Sequence, residues 1–360
     1  MAQKRDAGVP DADIRGLAGK ELYVALCAPC HAADGHGGAA DHAPSLISTT
    51  FLESASDDFL EQSISAGRAG TSMAAYGKAF GGPLDPAAVR SLVKFLRTLG
   101  PGAQPLLAIG PGNVGEGAKI YAARCVTCHG DQTKRGEAVS LANPTFLGMS
   151  TSSFIRYAIA HGRPGTKMVA FTGQLSDADI DNVVAFIRSW AMNGALTADQ
   201  RLPAPTGKEP LVINPRGKTP PFTMRADPCP PGAPGAAPAP CTPDPRFVSV
   251  AQVAAALAAK QRIVIIDARP PSEWMRVHIA GAVSIPYHDL ARLDELPRDG
   301  TWIVAYCACP HHLSGIVVDE LRKRGFAHAA VLDEGINEWH RRNLPVVAAP
   351  GVTPPPAEQH

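Results

Sequence analysis

The feature that most constrains this chain is a pentapeptide written twice, Cys27-Ala-Pro-Cys-His31 and Cys125-Val-Thr-Cys-His129. Each copy sits inside the same longer pattern. Gly19-Lys-Glu-Leu-Tyr23 and Gly117-Ala-Lys-Ile-Tyr121 precede the two copies at an offset of 98 residues, the same as between the cysteines. Pro44 and Pro144 follow, then Gly67-Arg-Ala-Gly-Thr-Ser-Met73 and Gly162-Arg-Pro-Gly-Thr-Lys-Met168, then amphipathic stretches at 84–99 and 175–190. Asp85 before Pro86, and Ser176 three residues before Asp179, are helix openings, because a short polar side chain there accepts hydrogen bonds from the first helical N–H groups. One C-x-x-C-H reads equally well as a zinc half-site or a redox dithiol. Two in one frame are an internal duplication of a unit of about 80 residues.

C-x-x-C-H is the pattern of covalent haem attachment, since two thiols on one helical turn reach the two vinyl groups and the next imidazole lies under the iron. Each unit then resembles a class I cytochrome c, over residues 14–100 and 112–193. The resemblance implies two covalent c-type haems, held by Cys27 and Cys30 and by Cys125 and Cys128, with His31 and Met73, and His129 and Met168, as axial ligands. His/Met ligation fills both axial positions and raises the potential, which suits electron transfer. The carbonyls of Pro44 and Pro144 are expected to accept from the two histidine rings. Met149 reads as core or loop packing, His161 as a surface or haem-edge residue, and His36 and His42 as solvated.

At 360 residues the chain has room for two or three domains of about 150 residues each. Lys and Arg number 34 against 33 acidic residues, a balance that excludes a partner bound through a basic excess, nucleic acid foremost. No run approaches the roughly 18 apolar residues of a membrane helix, and the first ten residues, MAQKRDAGVP, lack the apolar segment of a signal peptide.

Between Pro203 and Pro245 lie 14 of the chain's 34 prolines, so 194–246 is expected to be a spacer or strap. Its apolar strip at 210–215 is expected to pack on a cytochrome surface, and Cys229 and Cys241 are expected to close a disulfide in an oxidising compartment. Met224 has no evident role.

From 247 to 349 the pattern turns to strands and helices in alternation. Helices are expected at 249–260, 314–324 and 336–342, with parallel strands at 262–267, 302–306 and 329–332 read from their continuous apolar runs. Asp267-Ala-Arg269-Pro-Pro-Ser-Glu273-Trp274, His278-Ile-Ala-Gly281-Ala282, Tyr306-Cys307 and Leu332-Asp-Glu-Gly335 resemble a rhodanese domain in the family's order. That resemblance implies a persulfide-carrying cysteine at Cys307, its pKa lowered by the helix that follows. The loop departs from the family in reading Cys307-Ala-Cys-Pro-His-His312, without arginine; Cys309, His311, His312 and Arg269 are the possible helpers, and a soft metal on the two thiols and two imidazoles ranks below sulfur transfer.

The chain is thus expected to be multidomain: two all-α cytochrome c-like domains, then an α/β rhodanese-like domain with a parallel sheet. The two resemblances together imply a periplasmic protein whose export signal has been removed and whose only route to a membrane is a lost lipid anchor. It would move electrons from sulfur chemistry at Cys307 to a redox protein partner, with a small sulfur compound as substrate. Two alternatives stand beside this: an electron carrier whose rhodanese domain only docks a partner, and sulfur transfer uncoupled from the haems.

Overall fold

Residues 14–38, 43–134, 136–191, 201–227, 244–308, 312–352 and 354 are described by a computed structural model of the chain, which divides into two compact units, Arg15–Arg201 and Leu202–Val352.

The first unit holds two helical modules. In the first, α1 (Lys20–Leu22) widens into π turns over Tyr23–Cys27 and returns to α geometry as α2 (Ala28–His31); α3 (Thr49–Ser54), α4 (Asp57–Ala66) and α5 (Pro86–Arg97) follow. The second repeats the order with α6 (Val114–Arg124), α7 (Val126–His129), α8 (Pro144–Met149), α9 (Ser152–His161) and α10 (Asp177–Ser189). The closing helices start where their caps are: Asp85 accepts from the Ala88 N–H at 2.9 Å, and Ser176 and Asp179 form a reciprocal capping box.

The opening helix of each module packs on its closing helix. In the second, α6 and α10 approach so closely that a Cβ on Gly117 would lie 1.9 Å from the Asn182 carbonyl oxygen. Tyr121 there meets Phe186 and Trp190 at ring distances of 5.4 and 5.1 Å, and Tyr23 meets Phe95 at 5.2 Å in the first module. Arg97 donates to the carbonyls of Leu52 and Ala55, and Arg188 to those of Leu147 and Ser150, so the same arginine closes the carbonyl ends of α3 and α8. Between the modules α3 packs on α9 and α4 on α8, and the rings of Phe59 and Phe154 stack at 4.7 Å.

The second unit is built on a six-stranded sheet. Its strands are β1 (Arg225–Asp227), β2 (Asp244–Val248), β3 (Ile263–Asp267), β5 (Val283–Ser284), β6 (Trp302–Tyr306) and β7 (Ala329–Leu332), in the order β1-β2-β7-β6-β3-β5. β4 (Val277–Ile279) and β8 (Val346–Ala348) form a separate antiparallel pair. α11 (Val250–Ala258), α12 (Pro271–Trp274), α13 (His312–Lys323) and α14 (Gly335–Arg341) complete the unit. β3, β6 and β7 are buried throughout, which is why they read as unbroken apolar runs.

Two expectations change here. The sheet is mixed, because β1, from the proline-rich stretch, adds antiparallel to the outer side of β2. The strip around Ile213 packs on this α/β unit rather than on a cytochrome surface: its N–H and carbonyl both bond to Ile263, and its side chain lies against Gly281. A strand edge offers an apolar strip with unpaired backbone groups both burial and partners, which a helical surface does not. Met224 packs on the α/β core as well. Cys229 and Cys241 lie outside the described residues.

Candidate functional site

Each C-x-x-C-H motif caps the opening helix of its module, and its last helical turn presents the histidine. His31 is buried and its Nδ1 lies 3.0 Å from the carbonyl oxygen of Pro44, the acceptor anticipated from the sequence. His129 differs: its Nδ1 bonds to the Val139 carbonyl at 2.8 Å, while Pro144 serves as the first residue of α8. The loop between motif and proline is longer in the second copy, and a different carbonyl comes to the same place. In both, an Nδ1 proton held by a carbonyl fixes the tautomer and leaves the Nε2 lone pair for a metal. Burial holds the His129 pKa below its ordinary value despite the hydrogen bond, which favours the neutral ring.

The four motif cysteines form no disulfide. Burial pushes Cys27 up to about 12, and burial with the neighbouring Cys128 pushes Cys125 up to about 11. Behind each motif a buried tyrosine braces the turn: Tyr23 donates to the Ala32 carbonyl and Tyr121 to the Gly130 carbonyl, each at 2.8 Å. Met73 and Met168 sit half-buried in matching loops. In each, the arginine N–H bonds the methionine carbonyl, Arg68 to Met73 at 2.7 Å and Arg163 to Met168 at 2.8 Å, and Thr71 and Thr166 donate back to those arginines' carbonyls. Cysteines free of disulfides, imidazoles held by carbonyls and thioethers on matching loops are a donor set that fits haem c. Met149 accepts from Arg68 at 3.2 Å, a role in packing, and His161 is exposed beside Tyr157. His36 is exposed, and His42 lies outside the described residues.

In the α/β unit Cys307 ends β6, the carboxyl edge where open parallel sheets place their ligand sites. Its side chain is buried, with Sγ 3.3 Å from the Ser314 Oγ in the first turn of α13. Behind it, Gly335 adopts φ +65°, and a Cβ there would lie 2.5 Å from the Cys307 carbonyl oxygen, so the Asp-Glu-Gly segment can close on the cysteine only with glycine.

Arg269, a possible helper from the sequence, is engaged elsewhere. Its guanidinium holds Asp267 through two bonds at 2.9 and 2.7 Å and donates to the Val277 carbonyl, while Tyr306 donates to the same carboxylate at 2.8 Å. Burial alone would lower the arginine's pKa, but Asp267 more than offsets it and holds the charge. This network stabilises the fold under β3 and β6. His278 stacks on Trp274 with rings 3.6 Å apart and bonds its carbonyl, a structural role as expected. His312 opens α13; Cys309 and His311 lie outside the described residues, and among the described residues no three His, Cys, Asp or Glu side chains form a metal cluster.

Fold and donor sets define a c-type cytochrome module, present twice, joined to a rhodanese-like α/β domain. The family model described as cytochrome C oxidase, cbb3-type, subunit III matches residues 12–96 and 112–187, and that of the rhodanese-like domain matches 249–342. The chain belongs to the cytochrome c family, with two cbb3-type cytochrome c domains followed by a C-terminal rhodanese-like domain. A relative is the cbb3-type cytochrome c oxidase subunit FixP of Azorhizobium caulinodans, 30% identical over 48% of this chain and 58% of that one. Cytochrome c6 of a Synechococcus species is 33% identical over 22% of this chain and 76% of its own. Among solved structures, the rhodanese-like domain of an Anabaena protein is 24% identical, with a TM-score of 0.28 over 32% of this chain and 89% of that one. The chain spans just under six-tenths of the length of the FixP subunits it matches. Cytochrome c domains hold haem c and exchange electrons with redox protein partners, and no helix among the described residues is long and apolar enough to cross a membrane.

Proposed function

We propose that this protein is a periplasmic dihaem cytochrome c that carries electrons derived from sulfur chemistry at Cys307. The observation that supports it best is the joining in one chain of two matched His/Met donor sets with a thiol at the carboxyl end of β6. Cys27 and Cys30, and Cys125 and Cys128, would attach one haem each, with His31 and Met73, and His129 and Met168, on the iron. Each haem supplies one reversible electron. The periplasm follows from the covalent attachment, which in bacteria takes place outside the cytoplasm.

The balance suits two such sites. A cysteine thiol and hydrogen sulfide join in a persulfide with loss of two protons and two electrons, one electron for each module. Ser314 stands within hydrogen-bond reach of the sulfur and can donate to the thiolate. A helix beginning at residue 312 adds a field that favours the anion.

A second reading, a docking domain on an electron carrier, draws support from the same site. Cys307 is 1% exposed, and Arg269, two residues beyond the end of β3, is taken by Asp267. The two readings part in one experiment. Sulfide, thiosulfate or glutathione persulfide is added anaerobically to oxidised holoprotein and the reduced-haem α-band is followed. The first reading expects reduction that Cys307→Ser cuts at least tenfold; the second expects the same trace with and without the substitution.

A further inference from the structure

The two methionine loops are tied to each other's modules by a pair of arginines. Residues 51, 59 and 68 of the first module correspond to 146, 154 and 163 of the second, at the offset of 95 that also relates Met73 to Met168. The Arg68 guanidinium lies over its own Phe59 at 5.6 Å and over Phe146 of the other module at 6.0 Å, and donates to Met149 across the boundary. Arg163 repeats the arrangement from the other side, over Phe154 at 5.2 Å and Phe51 at 5.8 Å, and donates to the Thr50 carbonyl at 3.0 Å. Thr50 Oγ1 returns a bond of 2.6 Å to the Gly162 carbonyl, and Asn143 Nδ2 one of 2.8 Å to the Ala69 carbonyl, each in the loop of the opposite module.

Both cations are half-buried. Burial lowers each to about 10, and among the described residues their hydrogen-bond partners are carbonyls, hydroxyls, a thioether and ring faces, with no carboxylate. Packing alone does not call for this, since a leucine or methionine would fill the space between aromatic rings without desolvating a charge. A positive charge in a low-dielectric setting disfavours the ferric state of a nearby haem, which carries one more unit of positive charge than the ferrous state. Each arginine is bonded through its backbone to the carbonyl of the methionine in its own loop and clamped by its side chain against the other module.

We propose that Arg68 and Arg163 are positioning residues that lock the two modules into one body and, as a shared pair of half-buried charges, raise the reduction potentials of both haems together. The proposal rests on the two-haem, His/Met reading above.

The test is a mediated optical redox titration of the holoprotein. Arg68→Gln and Arg163→Gln should each shift both midpoints to lower potential, whereas Arg68→Lys and Arg163→Lys, which keep the charge, should restore most of the shift. Phe154→Leu removes the ring stack but neither charge; it should lower the melting temperature and leave the midpoints in place. Midpoints that stay put in both glutamine variants, a shift confined to the variant's own module, or a Phe154→Leu shift as large as the glutamine one would each overturn the proposal. If the glutamine variants do not accumulate, Arg163→His makes the charge switchable. Arg156, Tyr157 and His161 on α9 and Glu53 on α3 are the charged or titratable groups next to that position, His161 being the histidine already present, so the wild-type protein sets the baseline. Both midpoints should then fall more steeply than in the wild type as pH rises through the histidine's pKa; an unchanged slope would count against the proposal. Absence of any c-type α-band in the wild-type protein, or one haem per chain, would instead defeat the underlying reading.

Discussion

At the scale of single residues, the most informative side chains are polar groups that the fold buries. Asp267 and Arg269 pair at the end of a buried strand, where the sequence offered Arg269 as a helper to Cys307, and Tyr306, across the sheet, completes their network. His288 carried no such signal. It is 8% exposed, neither ring nitrogen has a hydrogen-bond partner among the described residues, and burial pushes its pKa down to about 4. A histidine depressed in this way is neutral when folded but takes up a proton near pH 6.5 when unfolded, so its contribution is full above 6.5 and is lost as pH falls toward 4. The shift corresponds to roughly 3 kcal/mol over that window. His278 and His340, also depressed by burial, add to the slope with the same sign. Thermal melts of the α/β unit, followed by near-UV circular dichroism, should therefore fall in midpoint between pH 6.5 and 4. His288→Leu should remove most of that dependence while leaving the midpoint at pH 7.5 unchanged or higher; an undiminished slope would show that the histidine is protonated in the folded protein.

Elements were legible where local chemistry decides them. Asp85 and Ser176 mark the starts of α5 and α10, and the β-branched runs mark β3, β6 and β7, because caps and burial periodicity are written in neighbouring residues. What the chain does over loops of unequal length was not: the replacement of Pro144 by Val139 as acceptor, and the docking of Ile213 on a strand edge, depend on where the backbone returns in space. The repeated glycine ahead of each motif illustrates the same limit. Gly19 and Gly117 occupy one position of the duplicated pattern, yet they are glycines for different reasons. Gly19 has φ +53° and only ordinary contacts around its missing Cβ, the nearest 3.6 Å away, so backbone conformation is what it needs. Gly117 is helical, and its missing Cβ would lie 1.9 Å from the Asn182 oxygen. Gly117→Ala should force α6 off α10 and cost about 1–3 kcal/mol, the usual penalty for overpacking a close helix contact. Gly19→Ala should cost about 1 kcal/mol, through strain alone. A chemical denaturation series that ranks the two alike would mean α6 and α10 separate without penalty.

For the whole molecule, duplication is the organising fact. The copies are similar enough to place both donor sets, cap both closing helices and face each other through corresponding rings, but each differs in the carbonyl that holds its histidine and in the exposure of that ring. His31 is buried behind Pro44, whereas His129 is half-buried, so the two sites offer different dielectric surroundings and should titrate at two potentials rather than one. The better-covered first site should be the higher of the two, since exclusion of water disfavours the ferric charge. A second consequence concerns stoichiometry. Cys125→Ala with Cys128→Ala should leave one haem per chain by the pyridine haemochrome assay, with the first module's midpoint still resolved. Under sulfide, that variant should take up one electron per chain where the intact protein takes up two, the electron pair released by each persulfide being shared between the haems of two chains, so that one persulfide forms per two chains. Full reduction of the single haem at half the sulfide consumption per chain, lost when Cys307→Ser is added, would support the coupling of the haems to Cys307. Loss of both haems in that variant would instead show that the first module folds around its cofactor only with the second in place.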